Sequence, residues 1–193
     1  MRGLLKSRKC LVESRTKLSN SVRGFVRQEG VKLGAKALAS PKGRENLLIA
    51  CVSFKHLTAI INSYRSAYVA LTASVHEIDV ELKEYEKKFE DIERLKTIPG
   101  VGRLSALTLL AAVDDISRFD SGRKLASYSG LVPSVRASGD VVRTGHITKQ
   151  GRSEIRSVWV QAAHSVALCK DKEARPLQRW FEKVARRRGK KTA

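Results

Sequence analysis

Apolar side chains recur in alternating steps of four and three from Leu57 to Ile92: Leu57, Ile61, Tyr64, Tyr68, Leu71, Val75, Ile78, Leu82, Tyr85, Phe89 and Ile92. The spacing predicts one long helix carrying about five heptads of a coiled-coil seam, roughly 54 Å from end to end. An apolar seam of that length must be covered. Either a second copy of the chain covers it, giving a homo-oligomer through the coiled coil, or residues 4 to 25 of the same chain do; the regularity of the repeat favours the second copy.

Upstream, Leu4, Leu11, Leu18, Val22 and Phe25 keep helical spacing among Lys6, Arg8, Lys9, Arg15, Lys17, Arg23 and Arg27, which predicts a basic amphipathic helix stopped near Gly30. A shorter segment, Val31 to Ala39, ends ahead of Pro41, where the proline ring discourages a continuing helix and marks a joint. Downstream, a helical run reaches Val113, and a short helix from Ser121 to Ser129, with Asp120 or Ser121 as N-cap, ends at Gly130 and Pro133. Val135, Val141 and Val142 flank Ser138-Gly139-Asp140, the mark of a hairpin or an extended loop. Ile155, Val158, Trp159, Ala162, Ala163 and Val166 then line the apolar face of a helix from Ser153 to Leu168. The expected fold is mainly α: a basic helical segment (1–40), a long coiled coil (41–94), and a compact helical C-terminal domain with a basic tail (95–193).

Charge adds a partner to this outline. Thirty-eight Lys and Arg stand against 19 Asp and Glu, a formal charge of +19, which points to a polyanion. Eight of the acidic residues fall between Glu77 and Glu93, on what reads as a solvated helix face, while residues 121–193 hold 17 basic and five acidic side chains. A nucleic-acid surface is therefore expected at the two ends of the chain. Apolar runs such as Leu47–Val52 and Leu107–Val113 fall well short of the roughly 18 residues a membrane span needs, and no signal-peptide core follows the basic N-terminus, so the expected setting is the cytoplasm, without a membrane partner. Cys10, Cys51 and Cys169 are odd in number and widely spaced, which argues against a disulfide framework or a zinc site and for buried or partly buried thiols.

Three segments carry candidate chemistry or phosphate contacts. Leu95, Ile98, Pro99, Gly100, Val101 and Gly102 break one helix and start another, as in a helix-hairpin-helix unit; Gly100 and Gly102 would let backbone N–H groups approach a phosphate at the positive end of the following helix. The alternative is a plain helix-helix connection. Arg136, Arg143, Lys149, Arg152 and Arg156 crowd the Ser138 loop and the helix after it, a candidate phosphate-binding set. Arg186-Arg187-Arg188-Gly189-Lys190-Lys191 is either a backbone-contacting tail or a solubilising end. Asp114, Asp115 and Asp120 read as caps and turn acids, with no metal site among them, and Ser138 on residue pattern alone reads as a turn serine.

Leu95-Lys-Thr-Ile-Pro-Gly-Val-Gly, Leu125-Ala-Ser-Tyr-Ser-Gly-Leu-Val-Pro, Ala137-Ser-Gly-Asp, Gly145-His-Ile-Thr-Lys-Gln-Gly and Ile155-Arg, in that order over about residues 95 to 168, resemble the transposase domain of the 110/116/902 group of insertion-sequence transposases. Arg15-Thr-Lys-Leu-Ser-Asn-Ser-Val-Arg-Gly is similar to the basic helix that follows the family's first domain, and a coiled coil between the two is also expected. The resemblance implies a serine that attacks a DNA phosphodiester, at the position of Ser138, and a RuvC-like acidic domain holding divalent metal (Mg), for which these 193 residues offer no substitute cluster. It also implies DNA and a structured guide RNA as partners. The expected function is a transposase or recombinase component acting in DNA transposition by serine-mediated strand cleavage and exchange when complete. The alternative is a catalytically inactive, truncated transposase, a fragment or decayed element that acts as a dimeric DNA- or RNA-binding module. A coiled-coil structural protein, the third class, leaves the phosphate-binding turn and the basic loop without a purpose.

Overall fold

The computed structural model describes residues 1–33, 37–169 and 172–189. Mainly α, as expected, it has helices α1 (Arg2–Gln28), α2 (Pro41–Ala50), α3 (Lys55–Lys88), α4 (Glu90–Lys96), α5 (Arg103–Val113), α6 (Gly122–Tyr128), α7 (Ser153–Leu168) and α8 (Arg175–Arg188), with strands β1 (Pro133–Ser138) and β2 (Val141–Ile147) between α6 and α7. The chain divides into two compact units, one over Gly3–Tyr85 and one over Glu86–Ala193.

In the first unit the seam of α3 is covered from within the chain. Leu57, Ile61 and Tyr68 join Val22 and Val26 of α1, with Leu38, Leu47 and Cys51, in one buried cluster. The two helices run antiparallel: Phe25 meets Tyr64 edge-to-face with ring centroids 5.9 Å apart, the Arg15 guanidinium lies 5.8 Å from the Tyr68 ring centre, and Arg8 Nε donates to Asp79 at 2.8 Å. Leu4, Arg8, Leu11, Arg15, Leu18, Val22 and Phe25 form on α1 the same four-three stripe that α3 carries, with none of its members fully exposed. Arginines fill two of its seven places, which hides the heptad from a search for apolar residues. Their aliphatic stems cover the seam while the guanidiniums reach Asp79 and Tyr68. Of the two partners expected for this seam, residues 4 to 25 of the same chain are the one that covers Leu57, Ile61 and Tyr68.

Four further details depart from expectation. Pro41, expected as a joint, is the first residue of α2, where a missing N–H costs nothing, and Ser40 caps the helix by accepting from the Gly43 N–H at 3.0 Å. Within Val31–Ala39, residues 31–33 are irregular and 37–39 form a turn; 34–36 lie outside the described residues. The long helix breaks at Phe89, the extended N-cap of α4, although the apolar spacing runs through to the buried Ile92. Cys10 is exposed rather than buried, because it falls off the stripe that α1 turns to α3.

In the second unit α5 contributes Ala106, Leu107, Leu109, Ala111 and Ala112 to the core, α4 packs on one side of it, and α7 contributes Ile155, Val158, Ala162 and Val166. Helix α7 has the bounds expected for it, except that Ala163 faces solvent. Helix α8, unexpected in a tail, packs on α7.

Candidate nucleic-acid interface

Between α4 and α5 the chain turns at Thr97–Gly102, and the Val101 N–H donates to Ile98 O at 3.0 Å. Gly100 sits at φ +83°, and a Cβ there would lie 2.4 Å from the Ala162 carbonyl oxygen of α7. Gly100 is thus required by the way this turn packs on α7. Gly102 differs: it is the extended N-cap of α5, a Cβ would meet nothing within 4 Å, and no acidic residue occupies the first turn of the helix. The first N–H groups of α5 have no intrahelical acceptor, as at any helix start. Lys96 Nζ donates to Glu93 at 2.7 Å and to Glu86 at 3.1 Å, and these two bonds raise its pKa.

The segment around Ser138 is a hairpin. Gly139, at φ +57°, and Asp140 form its two-residue turn, and only Gly139 takes the left-handed sign, as a type II′ turn requires. Arg136 pairs with Arg143 across the strands, Ala137 with Val142, and Ser138 with Val141. Paired residues share a face, and so do residues two apart along a strand. Arg136, Ser138, Val141 and Arg143 therefore occupy one face, and Val135, Ala137, Val142 and Thr144 the other. Both are open to solvent, Val142 remaining 65% exposed.

A free two-stranded ribbon is marginal in water, so its base must hold it. Here Thr148 N–H donates to Val132 O at 2.9 Å, Lys149 N–H to Gly130 O at 3.1 Å and Arg152 N–H to Tyr128 O at 3.2 Å. Backbones cross so closely that a Cβ on Gly130 would lie 2.4 Å from Gln150 O, and one on Gly151 2.1 Å from Tyr128 O. Lys149 itself takes φ +55°. Arg156 donates to Ser129 O at 3.0 Å and to Lys149 O at 3.3 Å, while Arg152 Nε donates to the Tyr128 hydroxyl at 3.1 Å.

The residues singled out in the sequence thus separate into groups. Arg136, Ser138 and Arg143 come together on one exposed face. Lys149, Arg152 and Arg156 sit at the hairpin base, and there the last two spend donors on fastening it. Arg186, Arg187 and Arg188 form the exposed last turn of α8, while Lys190 and Lys191 lie outside the described residues. Tyr128, Ser129, Gly130 and Gly151 position the hairpin without having been singled out; the glycine on each side of it was the available signal.

Asp115 caps a 3₁₀ turn, Ile116–Arg118, by accepting from Ser117 Oγ and N–H, bonds that lower its pKa, and Asp120 pairs with Lys124. The backbone N-cap of α6 is Ser121, without a side-chain bond. Among the described residues no group of three or more His, Cys, Asp or Glu gathers as a metal site requires. They do not fit the divalent metal that the resemblance implies, and no chemical step of theirs runs through it. Nor, among them, is any helix long and apolar enough to cross a membrane.

Residues 92–178, from the end of the seam through the hairpin into α8, match the profile of the Transposase IS116/IS110/IS902 family. That segment belongs to this transposase family. The transposase for insertion sequence element IS1111A of Coxiella burnetii is 29% identical over 194 residues, covering 98% of this chain and 52% of its own length. The transposase for insertion sequence element IS1328 of Yersinia enterocolitica is 28% identical over 169 residues, 84% of this chain and 48% of that one. A pilin gene-inverting protein of Moraxella bovis is 40% identical over 70 residues, 36% of this chain and 22% of its own. The chain thus spans about half the length of these two insertion-sequence transposases, and its transposase segment includes both the α4–α5 turn and the hairpin.

Proposed function

We propose that the chain acts in DNA transposition, its hairpin binding a DNA phosphodiester with Ser138 as the nucleophile. The observation that carries this reading is the pairing of Arg136 with Arg143 on the face of Ser138. Two like charges directly opposite each other weaken an isolated ribbon, and a phosphate between them turns that cost into attraction. Attack forms a bond from Ser138 Oγ to phosphorus while the phosphorus–oxygen bond to the departing strand breaks, the hydroxyl proton passing through solvent to the departing oxygen. The two guanidiniums stabilise the charge that develops on the attacked phosphate. The α4–α5 turn and the last turn of α8 hold neighbouring phosphates, and DNA, with a structured guide RNA beside it, is the partner. The divalent metal implied for the complete transposase has its ligands outside the described residues.

The test is cleavage by the complete assembly, with DNA ends, magnesium and any RNA it requires. Ser138→Ala should abolish cutting while DNA affinity stays within about threefold, because the arginines that dominate binding remain. Wild type should yield a covalent protein–DNA adduct that mass spectrometry places on Ser138. Ser134, also in β1, is the control; Ser129 is unsuitable because it is buried and its hydroxyl donates to Leu125 O at 2.8 Å. A Ser138→Ala protein that cuts at the wild-type rate ends the catalytic reading. The likeness to a pilin gene-inverting protein favours a second product from the same chemistry, inversion of a segment rather than its transfer. Sequencing the recombinant junctions separates the two.

A further inference from the structure

Most of α8 lies beyond the matched transposase segment, and the hairpin reading gives it no task of its own beyond its last turn. Leu177, Trp180, Phe181, Val184 and Ala185 form an apolar stripe at helical spacing, but only half of it is used by the fold. Phe181, Val184 and Ala185 are partly covered, and on their side the Gln178 amide donates to Val166 O at 2.8 Å and to Cys169 O at 2.7 Å, which fixes the roll of α8 against the end of α7. Trp180 is left 62% exposed, with Leu177 beside it. Lys183 and Arg187, three and seven residues on, follow Trp180 along the same face at about 4.5 and 10.5 Å of helix rise, and Arg179 adjoins it.

An exposed indole among cations fits a planar, electron-rich ligand carrying negative charge. A nucleobase and its phosphates meet both conditions: stacking takes the face of any base, and the ammonium and guanidinium take the backbone. A membrane surface would need the entire apolar stripe, half of which is already packed on the protein. A base within a duplex has its faces occupied by its neighbours, so the ligand must be unpaired. We propose that Trp180 is a stacking platform for an unpaired base of single-stranded nucleic acid, with Lys183 and Arg187 on the adjoining phosphates. The proposal is independent of Ser138.

The chain has two tryptophans, Trp159 and Trp180, so Trp159→Phe leaves Trp180 as the only indole reporter. This variant of the full chain is titrated with a single-stranded DNA oligonucleotide, an RNA of the same sequence, and a strand of equal length and charge made abasic throughout. Quenching of Trp180 fluorescence by DNA, RNA or both, without quenching by the abasic strand, is expected, and the tighter arm names the source of the base. Trp180→Ala should weaken the base-bearing strand roughly 5- to 150-fold and leave the abasic strand unchanged, while Trp180→Tyr recovers most of the loss. Unchanged fluorescence at saturation would overturn the proposal. So would equal losses for the base-bearing and abasic strands, which would assign Trp180 to folding or to general charge placement.

Discussion

Gly100 and Gly102 are two residues apart in the α4–α5 turn, yet they answer to different forces. Gly100 is held at φ +83° with the Ala162 carbonyl where a Cβ would go, so Gly100→Ala adds backbone strain and a clash with backbone that cannot yield cheaply. Gly102 is extended, and open space surrounds its absent Cβ. A serine there gains an N-cap hydroxyl for α5, worth a few tenths of a kcal/mol. Urea unfolding of the second unit should therefore shift in opposite directions, down by more than about 1 kcal/mol for Gly100→Ala and slightly up for Gly102→Ser. If both substitutions are neutral, the turn does not pack on α7 as described. DNA affinity adds a second readout: a Gly102→Ser protein that folds well but binds DNA less tightly would assign the start of α5 to phosphate. The Ser138 face is as local. Counting by two from Ser138 reaches Arg136, and the two-residue turn brings Arg143 across, so this part of the candidate site was legible in residue order once a hairpin was assumed.

Helices α1 and α3 place their energetics in a shared seam. Ile61 is buried against the α1 side chains, so Ile61→Asp strands a charge in the core and should cost more than about 3 kcal/mol, lowering the helicity of the first unit along with its stability. Circular dichroism beside sedimentation velocity checks this. A variant that keeps its helicity and only halves in mass would mean that the seam pairs copies of the chain. Thiol chemistry reads the same packing. The thiol of Cys51 has its pKa raised by burial, so it stays neutral and slow, whereas Cys10 is open to solvent. Maleimide should label Cys10 within the native protein and reach Cys51 only when the α1–α3 cluster opens; equal rates would contradict the cluster. Periodicity made α1, α3 and α7 legible because each buries a stripe. It failed in other places for definite reasons. Arginines occupy seam positions of α1, so residues 4 to 25 ranked behind a second copy as the partner of α3. No glycine or proline marks the break at Phe89. Pro41 has two roles, ending one segment and starting α2. Charge on α8 read as a tail, though its apolar stripe is helical.

Over the whole molecule the formal charge of +19 makes ionic strength the variable that DNA binding should follow. With six to ten phosphates neutralised, affinity should fall roughly 10³- to 10⁵-fold between 50 and 200 mM salt. Not every arginine can share in that slope. Arg8 is committed to Asp79, and Arg156 spends donors on two backbone carbonyls at the hairpin base, whereas Arg136 and Arg143 stand free on an exposed face. Each phosphate contact contributes about 0.9 to the logarithmic salt slope, so Arg136→Gln with Arg143→Gln should lower it by about 1.8 while leaving the melting temperature unchanged or slightly raised, since a like-charge pair has been removed. Arg156→Gln should do the reverse: loosening the hairpin base lowers the melting temperature and changes the slope little. Binding titrations at four or five salt concentrations, with a thermal melt of each protein, provide both measurements. If the double variant keeps the wild-type slope, the hairpin does not touch the phosphate backbone, and the nucleophilic reading of Ser138 loses its electrostatic support.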